Sequence, residues 1–304
     1  MSVEPSVSVV VATNRSGPFF DEALGSVALQ TRQPLEVIVV DDGAEDPAAI
    51  ERAAAAVPRA RIIHRRAAGV SAARNVGAAA ARGDLLVFLD DDDRWAPERL
   101  ERQAEALASH PEAAASYCGM RSIDEHGQVV ADADQRQVPD ALSIARRSVG
   151  IILPNLMVRR SALIAAGGFH AGMRMAEDLD LILRLAQLGR FVCVPEALVD
   201  YRAHASNTTG RHRELVAGID RVLQLHLGLA EDAGREELAA ALRESLQKNR
   251  RFAWWGAARA ARRRWSQEGP VSAAGELGWA ARTAPSGLVD GAARQLIRRL
   301  RRRG

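Results

Sequence analysis

Lysine is almost absent from this chain. Lys248 is the only one, and the rest of the basic charge is arginine. Cysteine is nearly as rare. Cys118 and Cys193 lie far apart in apolar stretches without metal-ligand spacing, so they are expected to be buried free thiols and not zinc ligands. No uninterrupted apolar stretch approaches the roughly 18 residues that a membrane-spanning helix needs. Residues 1–6 lack the basic-then-apolar pattern of a secretory signal, so a cytoplasmic protein is expected. There is no GxGxxG and no GxxxxGK[ST], which argues against dehydrogenase and P-loop readings. No internal repeat is evident, and 304 residues suffice for one large domain, or one domain with an extension.

What is present begins with charge asymmetry. From Asn249 onward 13 arginines face only Glu268, Glu276 and Asp290, a net +10, so the preceding residues carry −7 of the overall +3. A basic tail of this kind suits an anionic surface. Strand-like and helix-like segments alternate at short intervals before it. Val7 to Val11, Leu35 to Val40, Arg61 to His64 and Leu85 to Leu89 read as buried parallel strands. Asp21 to Gln30, Pro47 to Ala56, Ser71 to Ala81 and Glu98 to Ser109 read as the helices between and after them. The expected class is α/β, a Rossmann-like, mostly parallel sheet flanked by helices. Further along, Ala113 to Met120, Phe191 to Val194 and Leu198 to Tyr201 read as strands. Ser122 to Val138 reads as a polar hairpin or loop. Ser161 is a candidate cap for a short helix. Glu177 to Leu188 has helical spacing, with Gly189 as its C-cap. Beyond Thr209 the pattern turns wholly helical, placing a boundary near Gly210 between residues 1–210 and a helical, basic extension over 211–304.

Three strands end in polar residues that can converge. The first ends at Ala12-Thr13-Asn14-Arg15, the second at Asp41-Asp42-Gly43 and the fourth at Asp90-Asp91-Asp92-Asp93. In open α/β sheets, ligands bind outside the carboxyl ends of the strands. Four adjacent carboxylates repel one another unless a cation neutralises them, and hard oxygen ligands suit Mg²⁺ or Mn²⁺. Gly69 to Asn75 opens a helix with Ser71 as cap and Arg74 one turn in, within reach of a base or phosphate. Each motif also has a plainer reading. Asp41-Asp42-Gly43 is equally a turn, Arg74 a solvated arginine, and Glu177-Asp178-Leu179-Asp180 a set of helix-dipole complements. The alternative reading of Asp178 is a general base. His204 is either a surface histidine or a metal ligand.

Taken in order, these segments resemble glycosyltransferase family 2 with its GT-A fold, over about Val7 to Thr209. The carriers are Val7-Ser8-Val9-Val10-Val11-Ala12-Thr13-Asn14-Arg15, Val40-Asp41-Asp42-Gly43-Ala44, Gly69 to Gly77, Phe88 to Trp95, Gly167-Gly168-Phe169 and Glu177 to Leu181. The chain departs from the family pattern at Ala12, where proline is usual, at Asn14-Arg15 in place of Tyr-Asn, and at Ala44 in place of serine. The resemblance implies an inverting, metal-dependent glycosyltransferase of the hexosyltransferase type. Ala12, Asp42, Arg74 and Asp90 would bind the nucleotide, Asp92, Asp93 and His204 the metal (Mn²⁺ or Mg²⁺), and Asp178 would be the catalytic base. The donor would be a nucleotide-sugar, with UDP first and dTDP or GDP behind. The acceptor would be a glycan or lipid-linked saccharide in envelope or polysaccharide synthesis. Trp254, Trp255, Trp265 and Trp279, interleaved with arginines, suit an interfacial helix on anionic membrane lipid, or a helical cap with a solvated tail. No nucleic-acid-binding motif is recognised. The alternatives are a nucleotidyltransferase, for which Ala12 to Gly17 is a poor activation loop, and an inactive membrane-associated scaffold.

Overall fold

The computed structural model describes residues 4–132, 135–204 and 211–287. The first unit, Met1–His204, is built on a nine-stranded sheet. Its strands are β1 (Val7–Thr13), β2 (Glu36–Asp41), β3 (Ala60–His64), β4 (Leu85–Asp90), β5 (Arg94–Trp95), β6 (Ala113–Ile123), β7 (Val129–Asp132), β8 (Leu156–Arg159) and β9 (Arg190–Arg202). Its helices are α1 (Pro18–Ala28), α2 (Pro47–Ala55), α3 (Val70–Ala80), α4 (Arg99–Ala108), α5 (Ala141–Ala145), α6 (Arg160–Ala165) and α7 (Glu177–Leu185). The strand order is β3-β2-β1-β4-β8-β6-β9-β5, with β7 paired to β6. The first four strands are parallel, β8 runs antiparallel between β4 and β6, and β9 returns parallel to β6.

Burial on both faces explains the unbroken apolar runs. Successive side chains alternate across the sheet. Val9, Val11, Val37 and Val39 pack with Phe20 and Leu24 of α1, Ile50 of α2 and Leu100 of α4. Val10, Ile38, Val40, Leu86 and Phe88 pack with Ala73 of α3, Leu163 of α6 and Leu181 and Leu185 of α7. Gly77 lets α3 approach: a Cβ there would lie 2.3 Å from a Val10 methyl.

Several local expectations need correction. Ser71 is not a cap. Helix α3 starts one residue earlier from Gly69, and the Ser71 hydroxyl donates instead to the Met173 carbonyl at 3.0 Å. Ser161 lies inside α6, whose N-cap is Arg159. Gly189 is not a C-cap. Helix α7 ends at Leu185 with Ala186 as its C-cap, and Gly189 is small because its Cβ would sit 2.9 Å from the Glu112 carbonyl oxygen. The two late strands are one strand, β9, whose register against β6 shifts near Gly119. Cys118 is buried and Cys193 half-buried, and both thiols are free.

The second unit, Ala205–Gly304, holds α8 (His212–Asp232), α9 (Glu236–Glu268) and α10 (Pro270–Thr283). Val216, Ala253 and Ala284 form one apolar cluster in it with Phe252, Trp254 and Trp279. Buried Glu276 ties the three helices together by accepting Arg213 at 2.9 Å and Arg264 at 3.0 Å. No helix among the described residues is long and apolar enough to cross a membrane. The arginine-rich segment 294–303 lies outside the described residues.

Candidate active site

The sheet order places β2, β1 and β4 side by side, so their carboxyl ends meet. Ala12 pairs with Val40 on one side and Asp90 on the other, and Thr13 pairs with Asp41. The polar residues at these ends are thereby neighbours, although 78 positions separate Ala12 from Asp90 in sequence.

At the β2 end the two aspartates do different work. The Asp41 carboxylate accepts the backbone N–H groups of Gly43 (3.1 Å) and Ala44 (2.8 Å) and meets His64 Nδ1 at 2.9 Å, so it shapes the turn. The Asp42 carboxylate accepts the N–H groups of Ala68 (3.0 Å) and Gly69 (2.7 Å) and thereby fixes the start of α3. The Asp41 bonds are the local kind that short carboxylates favour in turns, whereas those of Asp42 reach a distant segment of the chain.

Arg74, on the first turns of α3, is buried over the Phe169 ring, with its guanidinium 5.6 Å from the ring centre. It bridges Asp90 at 2.6 Å and Glu177 at 2.7 Å. Burial opposes its charge, but the two carboxylates outweigh this and hold its pKa above the ordinary arginine value. One buried cation thus ties β4 to the start of α7. Glu177 was legible in the sequence only as a helix-dipole complement. Its actual partner is 103 positions away.

The four aspartates after β4 separate into distinct environments. Asp90 carries the Arg74 bridge. Asp91 accepts the Thr13 hydroxyl at 2.6 Å and the Arg15 guanidinium at 2.7 Å, while burial pushes its pKa up. Asp92 Oδ2 stands 2.8 Å from Arg15 Nη2 and 3.0 Å from His204 Nε2. Asp93, grouped with Asp92 by sequence, is instead turned into the protein. Its Oδ1 accepts the Arg202 N–H at 2.9 Å, and its Oδ2 is buried without a hydrogen bond from the protein. Burial first, and then the charges of Asp90 and Asp92, raise its pKa well above the usual carboxylate range. The Asp93 side chain therefore does not join Asp92 and His204.

Asp178 sits in the first turn of α7, two residues after Ala176, which adopts a left-handed φ of 60°. Non-glycine residues rarely take that conformation, and such strain tends to gather at functional positions. Burial and the charge of Glu177 push the Asp178 pKa up to about 6. Its Oδ1 accepts the Leu179 N–H at 2.8 Å. Arg147, also left-handed at φ 51°, has its pKa lowered by burial, and the nearby Asp178 charge opposes that lowering. The half-buried acid with a raised pKa is an environment that suits proton abstraction near neutral pH.

The sequence expectation named Ala12, Asp42, Arg74, Asp90, Asp92, Asp93, His204 and Asp178. The structure gathers Ala12, Arg74 and Asp90 at the ends of β1 and β4, sets Asp92 against His204, and holds Asp178 one residue past the Arg74 partner Glu177. Arg15, Thr13 and Glu177 join the site without having been singled out. The only available signal for Arg15 was its place at a strand end beside the carboxylate run.

Comparison with known proteins now decides the class. The model for "Glycosyl transferase family 2" matches residues 8–176, more than half of the chain. The chain belongs to glycosyltransferase family 2. Among curated relatives of this family 2 chain, the O-antigen biosynthesis protein RfbC of Myxococcus xanthus is 32% identical over 75% of the chain, which spans 18% of that relative. An uncharacterized glycosyltransferase of Haemophilus influenzae is 26% identical over 60% of the chain and 62% of its own length. The crystal structure of S. aureus TarS 1-349 in complex with UDP-GlcNAc superposes with a TM-score of 0.66 at 18% identity, covering 94% of this chain and 92% of that one. That likeness shows the GT-A fold; this chain adds the helices α8, α9 and α10 after it.

Proposed function

We propose that this family 2 chain is an inverting glycosyltransferase that moves a sugar from a nucleoside-diphosphate sugar, UDP-sugar first, to a hydroxyl of a glycan or lipid-linked saccharide. The observation that carries the reading is the pairing of two unlike carboxylate environments at one site. Largely covered carboxylates gather with Arg15 and Arg74 at the strand ends, and a half-buried acid with a pKa of about 6 sits at the start of α7. The UDP-GlcNAc complex of TarS supports the donor class, and the O-antigen name of the M. xanthus relative supports a glycan acceptor.

The chemistry follows from the residues. Asp178 would take the proton of the acceptor hydroxyl as its oxygen attacks the anomeric carbon. A single in-line displacement inverts that carbon and expels the nucleoside diphosphate. Ala12, by its backbone, with Asp42 and Asp90, would hold the nucleoside. Arg74 keeps Asp90 and Glu177 in place beside it. A divalent cation fits the Asp92 and His204 pair, because a carboxylate oxygen suits Mg²⁺ or Mn²⁺ and an imidazole nitrogen tips the choice to Mn²⁺. Among the described residues no third His, Cys, Asp or Glu completes a protein cage, which suits an ion sharing its ligands with phosphate and water. When bound, that cation would neutralise charge developing on the leaving diphosphate.

The acceptor side extends to the membrane. From Lys248 to Gln267 helix α9 carries six arginines, one lysine and no acid. Trp255 and Trp265 are 62% and 65% exposed among them. We propose that this basic extension rests on anionic lipid at the cytoplasmic face of the cell membrane, where a lipid-linked acceptor would be found.

The deciding experiment is calorimetric binding of UDP, dTDP and GDP with and without Mn²⁺, followed by transfer assays with the donor so chosen. Tight binding of one nucleotide and turnover onto a saccharide establish the reading. Binding without turnover on any acceptor tested would make the chain a donor-binding scaffold. No binding by folded protein would remove the transferase assignment.

A further inference from the structure

Asp92 Oδ2 is the oxygen best placed, with His204, for a divalent cation. That same oxygen is held by Arg15, whose Nη2 lies 2.8 Å away. Arg15 is anchored from several directions. Its Nη2 and Nε reach Asp91 Oδ1 at 2.7 and 3.2 Å, and its backbone N–H donates to the Thr13 hydroxyl at 3.1 Å. The Thr13 hydroxyl in turn bonds the other Asp91 oxygen, so the β1 end and the carboxylate run form one closed network. The two aspartates are largely covered, at 11% and 15% exposed, whereas the Arg15 side chain is 43% exposed. The guanidinium therefore has an open face on the solvent side of a ring of acids. It stays charged there, because the neighbouring carboxylates more than offset partial burial and raise its pKa.

Two cations cannot share one carboxylate oxygen at full strength. A divalent ion bonds oxygen at about 2.1 Å, and a guanidinium in hydrogen-bond contact at the same atom would face it across a few ångströms of like charge. An ion entering at Asp92 must therefore weaken or release the Arg15 bond. A released guanidinium keeps Asp91 and gains its strongest new acceptor in a phosphate oxygen, which it can bind in a fork as it binds a carboxylate. We infer that Arg15 is a diphosphate-binding residue that exchanges partners: it holds Asp92 until a divalent cation takes that oxygen, and then pairs with the donor diphosphate. The inference rests on the nucleotide-sugar reading above. It has the consequence that metal and donor bind cooperatively, since the same ion that frees Arg15 also brings the phosphate it will hold.

The test uses the full chain, the variants Arg15→Asn and Arg15→Lys, and two calorimetric titrations. One uses Mn²⁺ alone; the other uses UDP (or the diphosphate preferred in the nucleotide screen) at saturating Mn²⁺. Because a competing cation has been removed, R15N should bind Mn²⁺ alone several-fold more tightly than wild type. It should bind the nucleoside diphosphate about tenfold or more weakly, the size of one charge-assisted hydrogen bond. R15K, which keeps the charge, should retain donor binding within a few-fold. Opposite movement of the two affinities in R15N is the result that supports the exchange. Movement of both in the same direction, or both within twofold of wild type, overturns it, and circular dichroism separates a misfolded variant from either. A wild-type protein that binds no nucleoside diphosphate overturns the transferase reading itself, and this inference with it.

Discussion

At the residue scale, the site is organised by which carboxyl groups are paired and which are left in poor solvent. Arg74 is buried between Asp90 and Glu177. Removing one member of such a set leaves uncompensated buried charge, which costs roughly 3–5 kcal/mol. Arg74→Met should therefore lower the melting temperature sharply in calorimetry and should weaken nucleotide binding as well. Asp178 behaves differently. Its pKa of about 6 in the folded chain lies above that of an unfolded aspartate, so burial favours its neutral form. The contribution to folding is present below the ordinary aspartate range and is lost as pH rises through about 6. In its proposed role as base Asp178 must be ionised, so transfer should fall as pH drops below about 6. Asp178→Asn is expected to lower kcat by about 10²-fold or more with nucleotide affinity nearly unchanged. At pH 7.5 it should also melt a few degrees higher than wild type, because no charge is then held in a poor solvent. Loss of nucleotide binding together with turnover would contradict the base assignment. Asp93 offers a contrast within one short run. Burial and the charges of Asp90 and Asp92 raise its pKa and so disfavour its ionised form at the buried end of the cluster. Asp93→Asn should leave Mn²⁺ affinity within a few-fold of wild type, whereas Asp92→Asn should reduce it by an order of magnitude or more, both read by titration calorimetry.

At the scale of elements, two short features set the geometry that the residues use. Helix α3 lies close on β1 because Gly77 has no side chain, and a methyl there would come to 2.3 Å from Val10. Gly77→Ala overpacks a core contact, which typically costs 1–3 kcal/mol. It should also move Arg74, three residues earlier on the same helix, away from Asp90. Chemical denaturation gives the first effect and nucleotide affinity the second, and a stability loss without an affinity change would show that α3 repacks in place. Helix α7 begins after Ala176 in the left-handed region. That turn aims Glu177 at Arg74 and leaves Asp178 beside it. The strand ends are likewise set by pairing: the β1 register brings Ala12 to Asp90 and Thr13 to Asp41, an adjacency that no local pattern encodes.

At the scale of the whole molecule, charge is divided along the chain. The residues before Asn249 are net negative and those after it strongly positive. On the exposed face of α9, Trp255 and Trp265 add apolar area to the arginines. Binding to vesicles containing phosphatidylserine should exceed binding to neutral phosphatidylcholine vesicles and should weaken as salt is raised. Replacing both tryptophans with serine should reduce vesicle co-sedimentation without altering nucleotide affinity. Equal binding to neutral and anionic vesicles, or none to either, would remove the membrane from the proposed setting.

The alternation of buried strands and covering helices was legible in the sequence because both faces of the parallel sheet are covered, which turns each strand into an unbroken apolar run. The family motifs named Asp42, Arg74, Asp90, Asp92 and Asp178 because their spacing is set within single strand–turn–helix units. Helix ends such as those at Ser71 and Gly189 were misplaced, since a serine or glycine there answers to a partner from elsewhere in the chain. Only the tertiary structure could separate Asp92 from Asp93, adjacent acids of which one meets His204 and the other faces Arg202. It alone could find that Glu177 holds Arg74, or that Arg15 closes over Asp91 and Asp92. Local spacing determines which residues sit on one turn or strand. Burial, charge and pKa depend on groups brought in from distant parts of the chain, and folding alone assembles those.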